Sequence, residues 1–400
     1  MATYRVAPQL HPILLTRMDE ARARTDALFK LLPLESLYDR PIPERHRLIF
    51  YLGHLEAFDW NLLSGALELS SADAALDKLF AFGIDPVDGG LPTDTPADWP
   101  TIAQVEKYNA QVRDALDEAL NGSRAVRPSS TDLADGTLLH VAIEHRLMHA
   151  ETFAYILHQL DCGKKASQKT RSVESAPVAG GMVDLPAGTA QLGVPDGNFG
   201  WDNEFRAHEV EVPALSVSKY KVTNGEYLEF VNRGGDPPFF WKQAGGKWFY
   251  QGMWGEIPLP VDWPVYVTYE QAQAYARSRG MRLMSEPEWH RAAAHSPVSC
   301  NVDFRHWEPT PVTADDRAGG PIAQITGNGW EWTSSEFAPF PGFEPFPFYR
   351  NYSEPFFDGS HFVLKGASPR TAACFLRPSF RNWFRPSYPY IYATMRLVES

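Results

Sequence analysis

Residues 144–151 read Glu-His-Arg-Leu-Met-His-Ala-Glu, and they lie inside an apolar-periodic run at positions 138–160. His145 and His149 are four residues apart, so on an α-helix they lie about 40° apart on one face, one turn above the other. The remaining positions of that face are Val141, Met148, Thr152 and Ile156. This pattern predicts a helix that turns two imidazoles toward a protein core.

Two imidazoles on one face can bind one metal ion if a third ligand comes from elsewhere. Glu151 is a poor candidate, because two positions after His149 its side chain points about 200° away. His54 is a better one, since residues 51–60 read Tyr-Leu-Gly-His-Leu-Glu-Ala-Phe-Asp-Trp and place it on an apolar face of an earlier helix. The alternative is that each histidine is a core residue with one satisfied hydrogen bond. The spacing favours a three-histidine metal site formed by His54, His145 and His149.

Composition narrows the class of protein. The 400 residues predict two domains, and 44% hydrophobic with 22% charged residues is typical of a soluble globular chain. A net charge of −12 argues against nucleic acid or an anionic membrane surface as a partner. The three cysteines have no CxxC spacing, which indicates a reducing compartment; they are Cys162, Cys300 and Cys374. With no apolar signal core and no apolar run of membrane-spanning length, we expect a cytoplasmic protein.

The first 161 residues are predicted to form a helical bundle. Apolar periodicity predicts helices at residues 10–32, 43–69, 101–120 and from Ser130 to 160, with a long loop at 82–99. Facing helices of such bundles commonly hold metals in the core. Residues 162–180 are basic, rich in serine and aperiodic, which predicts a linker.

Residues 181–400 have a different texture, with short strands, many turns and ten of the 12 tryptophans. Residues 181–188 and 189–194 are predicted to form a β-hairpin, and short helices are predicted at 224–230 and 268–279. We expect little other regular structure, so that buried aromatic residues and side-chain hydrogen bonds hold this domain together. The fold class is therefore predicted to be α+β.

The second half resembles the formylglycine-generating-enzyme-like fold, which is related to C-type lectins. The blocks that carry the resemblance are Val222-Thr223-Asn224, Pro264-Val265, Arg282-Leu283-Met284-Ser285-Glu286-Pro287-Glu288-Trp289, Gly327-Asn328-Gly329-Trp330-Glu331-Trp332 and Met395-Arg396-Leu397. The paired active-site cysteines of the formylglycine-generating enzyme have no evident counterpart here. The resemblance therefore implies the fold and not that activity.

The first half resembles a DinB-type bundle that carries the three-histidine pattern. A DinB bundle followed by this second domain is similar to the ergothioneine sulfoxide synthases. That resemblance implies a non-haem Fe(II) enzyme, with iron at the three histidines. Such enzymes use O2 to join a sulfur donor to imidazole C2 of hercynine, which is N-trimethyl-histidine.

The resemblance also implies roles for single residues. A Tyr-Arg-x-Tyr-Ser-Glu block at 349–354 implies a catalytic Tyr349 and a substrate-binding Tyr352. An Arg-Asn-Trp block at 381–383 implies that Asn382 and Trp383 hold hercynine. Met148 stands where some members have a substrate-contacting glutamine, which puts that contact in doubt.

Two positions bear on the chalcogen donor. Phe384 stands where family members that use γ-glutamylcysteine have a carboxylate, and Tyr388 falls near their basic residue. The first hypothesis is therefore a selenoneine-synthase-type enzyme that takes a selenosugar and forms a C–Se bond. The second is an ergothioneine sulfoxide synthase that uses cysteine or γ-glutamylcysteine and forms a C–S bond. A hypothesis of another class is a non-catalytic, lectin-like binding protein with a structural zinc.

Overall fold

The computed structural model describes residues 12–81, 91–121, 131–166, 173–195, 197–296, 300–314 and 320–399. The chain divides into two compact units, Met1–Ser167 and Gln168–Ser400. The first unit is helical and the second combines strands with short helices, which confirms the predicted α+β class.

Long helices pack side by side in the first unit. The helices are α1 (Pro12–Phe29), α2 (Leu48–Leu63), α3 (Ala74–Leu79), α4 (Ile102–Asn121), α5 (Thr131–Ala134) and α6 (Thr137–His158). α1 packs on α6, and α2 packs on both α4 and α6. Each of α2 and α6 thus packs against two other helices, so most of their residues are buried. This burial explains their apolar composition. The three-histidine pattern therefore falls on the two most buried of the described helices in this unit.

Two helix boundaries differ from the sequence prediction. The second helix begins at Leu48 and not near 43. Pro43 instead occupies the second position of a turn, closed by the hydrogen bond from the N–H of Arg45 to the carbonyl of Ile42, and Arg47 is extended. The fourth segment is interrupted at Gly136, whose φ of 86° separates α5 from α6. The predicted start at Ser130, residues 82–90 of the predicted loop and residues 167–172 of the predicted linker lie outside the described residues.

The strands of the second unit form four sheets among the described residues. The strands are β1 (Met182–Leu185), β2 (Gly188–Leu192), β3 (His208–Val212), β4 (Leu215–Ser218), β5 (Trp241–Ala244), β6 (Lys247–Gly252), β7 (Gly255–Pro258), β8 (Met281–Leu283), β9 (Gly329–Glu336), β10 (Phe362–Ala367), β11 (Asn382–Phe384), β12 (Ala393–Thr394) and β13 (Leu397–Glu399). Their orders are β1-β4-β13-β8, β11-β10-β9-β12, β5-β6-β7 and β2-β3. All pairings are antiparallel except that of β12 with β9. The strands are short, and long connections without regular structure join them, as predicted.

The predicted hairpin at 181–194 was wrong. β1 pairs with β4, so that Met182 lies opposite Ser218, whereas β2 pairs with β3. Pro186 stands between β1 and β2 and has no N–H to donate to a ladder. Both strands still contribute to one core, because Leu185 and Leu192 are buried in the same apolar cluster.

The two short helices were predicted correctly. They are α7 (Asn224–Asn232) and α8 (Tyr269–Ser278), and each begins at a threonine whose hydroxyl accepts a backbone N–H of the first turn. A third helix, α9 (Glu286–Ala294), begins at Ser285 in the same way. Capping boxes therefore define all three helix starts.

Buried ion pairs explain the most specific sequence blocks of this unit. Glu331 on β9 is fully buried and lies 2.6 Å from Lys221 and 2.9 Å from Arg396. Glu286 at the start of α9 pairs with Arg381 at 3.0 Å. Because buried charges are costly unless paired, these residues depend on one another to fold. The sequence blocks that contain these charges therefore join strands that are distant in the chain. The pair of Arg381 with Glu286 also anchors the start of β11, which pairs with β10.

Candidate active site

Three imidazoles meet in the first unit. His54 projects from α2, and His145 and His149 project from α6. Their candidate ligand atoms all lie within 4.8 Å of one another, and all three side chains are buried. The ring centroids of His54 lie 5.2 Å from those of His145 and 4.8 Å from those of His149. Glu151 is not part of this group.

Neighbouring groups fix how two of the rings are presented. The Nδ1 of His54 lies 2.7 Å from the carbonyl oxygen of Phe80, so Nδ1 carries the proton and donates. The lone pair is then on Nε2, which is buried and makes no hydrogen bond to any described residue. Phe58 stacks on His145 with a centroid distance of 3.3 Å and an interplanar angle of 9°. Together these contacts orient the rings before any ligand arrives.

The electrostatics of the site favour neutral imidazoles. Burial lowers the pKa of His54 to about 4, against the opposing effect of the Phe80 hydrogen bond. Burial, and next the neighbouring His149, hold the pKa of His145 well below its usual range. Burial and His54 do the same to the pKa of His149. All three side chains are therefore neutral near pH 7, which is the form that binds metals.

These residues fit a bound metal ion. The Nε2 of His54 and the Nδ1 of His149 are buried polar atoms without a hydrogen bond to the described residues. Leaving such atoms unpaired costs free energy, and a metal is a partner that would satisfy several of them together. A set of three imidazoles suits iron, copper, nickel or zinc and leaves coordination positions open. The group can therefore hold a metal that also binds small molecules.

A buried ion network lies beside the histidines. Arg146, which follows His145 on α6, lies 2.8 Å from Glu56 and 2.6 Å from Asp59 on α2. Arg113 on α4 reaches Glu56 at 2.6 Å. Burial raises the pKa of Glu56, but the charges of Arg146 and Arg113 outweigh it and lower that pKa. The network joins the helices that supply the three imidazoles.

The two predicted tyrosines lie close together in the second unit. The ring centroids of Tyr349 and Tyr352 are 5.6 Å apart, and Trp201 stacks on Tyr352 at 4.0 Å. Tyr352 is buried and Tyr349 is half-buried. Burial, and next the charge of Asp202, raise the pKa of Tyr349 above its usual value. The phenol of Tyr349 is therefore protonated across the physiological range.

The other predicted substrate residues lie on and after β11, the edge strand beside β10. Trp383 meets Tyr352 edge to face at 5.3 Å and stacks on Phe337 at 4.1 Å. Asn382 accepts the N–H of Trp383 at 3.0 Å through its own Oδ1. Tyr352 and Trp383 therefore form one aromatic cluster. Asn382, which precedes Trp383, is partly exposed.

Phe384 and Tyr388 form a separate aromatic pair. Their rings stack with a centroid distance of 5.3 Å and an interplanar angle of 14°.

Met148 belongs to the helical unit, on α6 directly before His149. The structure thus groups the three histidines within the first unit, and Tyr349, Tyr352 and Trp383 within the second.

The two halves of the chain match two known sequence families. Residues 168–400 match the sulfatase-modifying factor enzyme 1-like domain, and residues 17–153 match the DinB superfamily. Among individual relatives, the chain is 34% identical over 342 residues to a hercynine oxygenase of Mycolicibacterium thermoresistibile, covering 74% of each chain. The chain belongs to the hercynine oxygenase family.

Two fungal members of similar sequence are longer. The ergothioneine biosynthesis protein 1 of Neurospora crassa is 26% identical over 92% of the present chain, which spans 56% of that protein. The protein of the same name from Schizosaccharomyces pombe is 28% identical over 93% of the present chain, which spans 54% of it. The chain thus spans about half the length of these relatives.

Among the described residues, none of the helices has the length and apolar character needed to cross a bilayer.

Three features of this family member were not predicted from its sequence. They are the carbonyl of Phe80 that orients His54, the Arg146 network, and Asp202 with Ser353 beside the tyrosines. The sequence does carry a signal for the Arg146 network, because an arginine inside an apolar helical run must find buried partners. The signal for Asp202 is weaker and consists of its place in the block Trp201-Asp202-Asn203-Glu204. The carbonyl of Phe80 gave none, since any backbone group can accept a hydrogen bond.

Proposed function

We propose that the chain is a non-haem Fe(II), O2-dependent enzyme that forms a carbon–selenium or carbon–sulfur bond at imidazole C2 of hercynine. The observation that carries the proposal is the buried group of neutral imidazoles formed by His54, His145 and His149. Membership in the hercynine oxygenase family supports the substrate. Its partners are then small molecules, namely hercynine, a chalcogen donor and O2.

His54, His145 and His149 would hold the iron. Bound Fe(II) supplies redox chemistry with O2 and lowers the pKa of a thiol or selenol that binds to it. The protein then has to orient the imidazole of hercynine, exclude water and hold a proton near the reacting atoms. Tyr349 suits the last task, because its phenol stays protonated and can deliver a proton or hydrogen atom from its Oη.

Aromatic side chains suit the other end of hercynine. A trimethylammonium group is attracted to the faces of aromatic rings. Tyr352 and Trp383 lie 5.3 Å apart, and Phe384 follows Trp383 on β11. We propose that these three residues with Asn382 bind hercynine, and that Met148 is a substrate-contacting residue.

The donor is proposed to be a selenosugar. Free γ-glutamylcysteine is anionic, and burying its carboxylates without partners would cost several kcal/mol. Phe384 and Tyr388 are a stacked pair that carries no charge at pH 7. A sugar presents hydroxyl groups and a ring face, which suit aromatic rings and neutral hydrogen-bonding groups. The leading hypothesis is therefore a selenoneine-synthase-type enzyme.

A second candidate function is an ergothioneine sulfoxide synthase that uses cysteine or γ-glutamylcysteine. The names of the two fungal relatives favour it. Arg385 also favours it, because this exposed cation directly follows Phe384 and has the charge to pair with a donor carboxylate. A non-catalytic, lectin-like protein with structural zinc is disfavoured, because three imidazoles leave coordination positions open. The three cysteines have no CxxC spacing, which supports the proposal of a reducing, cytoplasmic location; they are Cys162, Cys300 and Cys374.

A donor panel tests the proposal. Iron-loaded protein is incubated with hercynine, O2 and each of a 1-selenosugar, cysteine and γ-glutamylcysteine, and products are identified by mass. We expect kcat/KM to be highest for the selenosugar. A preference for γ-glutamylcysteine would contradict the selenium reading and support the sulfoxide synthase, and no product with any donor would contradict both.

Arg385→Gln provides the matched control for this panel. If Arg385 does not bind the donor, the variant keeps the order of kcat/KM among the three donors. A selective loss of γ-glutamylcysteine turnover in Arg385→Gln would identify Arg385 as a carboxylate partner.

A further inference from the structure

Asp202 is a fully buried carboxylate in the turn Asp202–Glu204 of the second unit. The hydroxyl of Ser353 donates a short hydrogen bond to its Oδ1. Its Oδ2 is buried and makes no hydrogen bond of normal geometry to a described residue. Half of a buried carboxylate is thus left poorly satisfied, which costs free energy and is common where function constrains a side chain.

The segment 346–353 carries both tyrosines of the candidate site and is tied to this turn. Ser353 ends the segment, and its hydroxyl also accepts a hydrogen bond from the side-chain amide of Asn203 at 2.9 Å. Within the segment, the N–H of Tyr349 donates to the carbonyl of Phe346 at 3.0 Å. Because the segment has no strand or α-helix of its own, its geometry depends on such contacts.

Trp201 adds an aromatic contact to the same connection. Its ring stacks on Tyr352 and meets Tyr349 edge to face with a centroid distance of 6.3 Å. Trp201 directly precedes Asp202, so one short stretch of backbone contacts the tyrosine segment through a ring and through a carboxylate. A shift of this turn would move both tyrosines.

The charge of Asp202 acts on the phenol of Tyr349. Burial raises the pKa of Asp202 to about 6, and the hydrogen bond from Ser353 is the main cause that opposes this rise. Asp202 is therefore ionised at neutral pH. After burial itself, the negative charge of Asp202 is the cause that raises the pKa of Tyr349.

Other charged groups nearby are paired with one another. Glu204, in the same turn, pairs with Arg377 at 2.6 Å. Arg381 donates to the carbonyl of Asn203, but its carboxylate partner is Glu286. Neither arginine forms an ion pair with Asp202 among the described residues, so its charge is not cancelled by a direct partner.

We propose that Asp202 is a positioning residue for Tyr349. Its carboxylate fixes the segment 346–353 through the hydrogen bond from Ser353, beside the Trp201 ring that contacts both tyrosines. The inference rests on the proposed function in that it assigns Tyr349 to the chemistry. The placement itself rests on the Ser353 hydrogen bond and the Trp201 contacts. Asp202 acts through Tyr349 and is not itself assigned to the reacting atoms.

The test observes Tyr349 without metal or substrate. The full chain is prepared with a fluorinated tyrosine at position 349, and its ¹⁹F NMR shift is followed from pH 5 to 8. We expect a step at about pH 6, because protonation of Asp202 changes the field at the ring. The step should be absent in Asp202→Asn. A featureless wild-type titration, or a step that survives in Asp202→Asn, would overturn the proposal.

Asp262→Asn is the matched control. Asp262 lies in the same unit, is nearly buried and accepts the hydroxyl of Ser175 at 2.7 Å. The step should persist in this variant, and its loss would show that the signal does not report Asp202. If Asp202→Asn does not fold, Ser353→Ala replaces it. That variant keeps the charge and removes the hydrogen bond, so the step should move to higher pH, and an unchanged step would contradict the tie.

Turnover provides the second readout. With hercynine and the preferred donor, Asp202→Asn should lower kcat about 10- to 100-fold with little change in KM, and the fall of wild-type kcat below pH 6 should disappear. Unchanged kcat, or a change in KM alone, would contradict the positioning role. Because the NMR titration uses neither iron nor hercynine, failure of the proposed function would leave its result intact.

Discussion

The histidine group and the tyrosine segment are built in opposite ways. His145 and His149 share one face of a regular helix, and His54 comes from a second helix packed against it. The segment 346–353 has no such framework and is held by the buried turn that contains Asp202. The first depends on local periodicity, whereas the second depends on residues 151 positions apart in the chain.

This difference predicts different responses to substitution. A helical ligand set has its geometry defined by backbone hydrogen bonds, so single changes should remove a ligand without moving the others. A segment held by a few side-chain contacts should lose its geometry when one contact is lost, even at small cost in stability. The predictions below use this contrast, from the largest expected effect to the smallest.

The largest effect is expected for His149→Ala. Removing one of three imidazoles leaves two ligands, so the protein should lose nearly all bound metal while α6 stays folded. Metal content per chain after anaerobic reconstitution, measured by mass spectrometry, checks this. His158→Ala is the control, because His158 is also buried on α6 but lies outside the three-histidine group. Full metal occupancy in His149→Ala would refute the site.

The next effect concerns Arg146. Arg146→Ala would leave Glu56 and Asp59 buried beside each other without the cation that joins α2 to α6. Breaking a buried ion pair from one side costs about 3–5 kcal/mol, and urea unfolding of the metal-free protein measures it. Arg22→Ala, which removes a pair with the half-exposed Asp117, should cost less. Equal losses in the two variants would argue against a special role for Arg146.

A pH effect of moderate size follows from the buried imidazoles. The pKa of His54 is lowered from 6.5 to about 4 in the folded chain, so below pH 6.5 the unfolded state binds a proton that the folded state refuses. Above pH 6.5 the ring is neutral in both states, so His54 does not lower the free energy of unfolding there. It removes about 3 kcal/mol of stability from the metal-free protein as pH falls from 6.5 to 4.

Chemical unfolding of the metal-free chain at several pH values measures this dependence. His54→Gln removes the titrating ring, so its unfolding free energy should fall less steeply below pH 6.5 than that of wild type. If the two slopes are the same, the imidazole of His54 is accessible to protons and is not held neutral by burial.

The smallest effect on stability is expected for Tyr349→Phe. The ring and its packing on Trp201 are kept and only the hydroxyl is lost, so the unfolding free energy should change by about 1 kcal/mol or less. Turnover should nevertheless fall about 100-fold or more, because a proton-donating group is missing. Tyr227→Phe, which removes a phenol hydroxyl elsewhere in the same unit, is the matched control and should keep its turnover. Normal turnover of Tyr349→Phe would make Tyr349 structural.

The contrast also explains what could be predicted from the sequence. The spacing of His145 and His149 together with the apolar face around His54 led to a group that the structure brings within 4.8 Å. Helices α7 and α8 were predictable because the capping threonine and its partner are three residues apart. These signals all lie within one or two turns of chain.

Other features depend on partners that are distant in the sequence. β1 pairs with residues 215–218 and not with its neighbour β2, and no local pattern distinguishes those two pairings. Ser353 finds Asp202 only when the fold is complete. The roles of the tyrosines came from a family resemblance, since in a unit so rich in aromatic rings Tyr349 has no local signal of its own.

Hercynine-dependent O2 consumption is the most direct test of the proposed enzyme. The iron-loaded chain is mixed with the preferred donor in an oxygen electrode, with and without hercynine, and wild type is compared with His149→Ala. We predict rapid O2 consumption that requires hercynine, yields a product with the chalcogen at imidazole C2 and is lost in His149→Ala. O2 consumption that is the same with and without hercynine, or that persists in His149→Ala, would contradict the account.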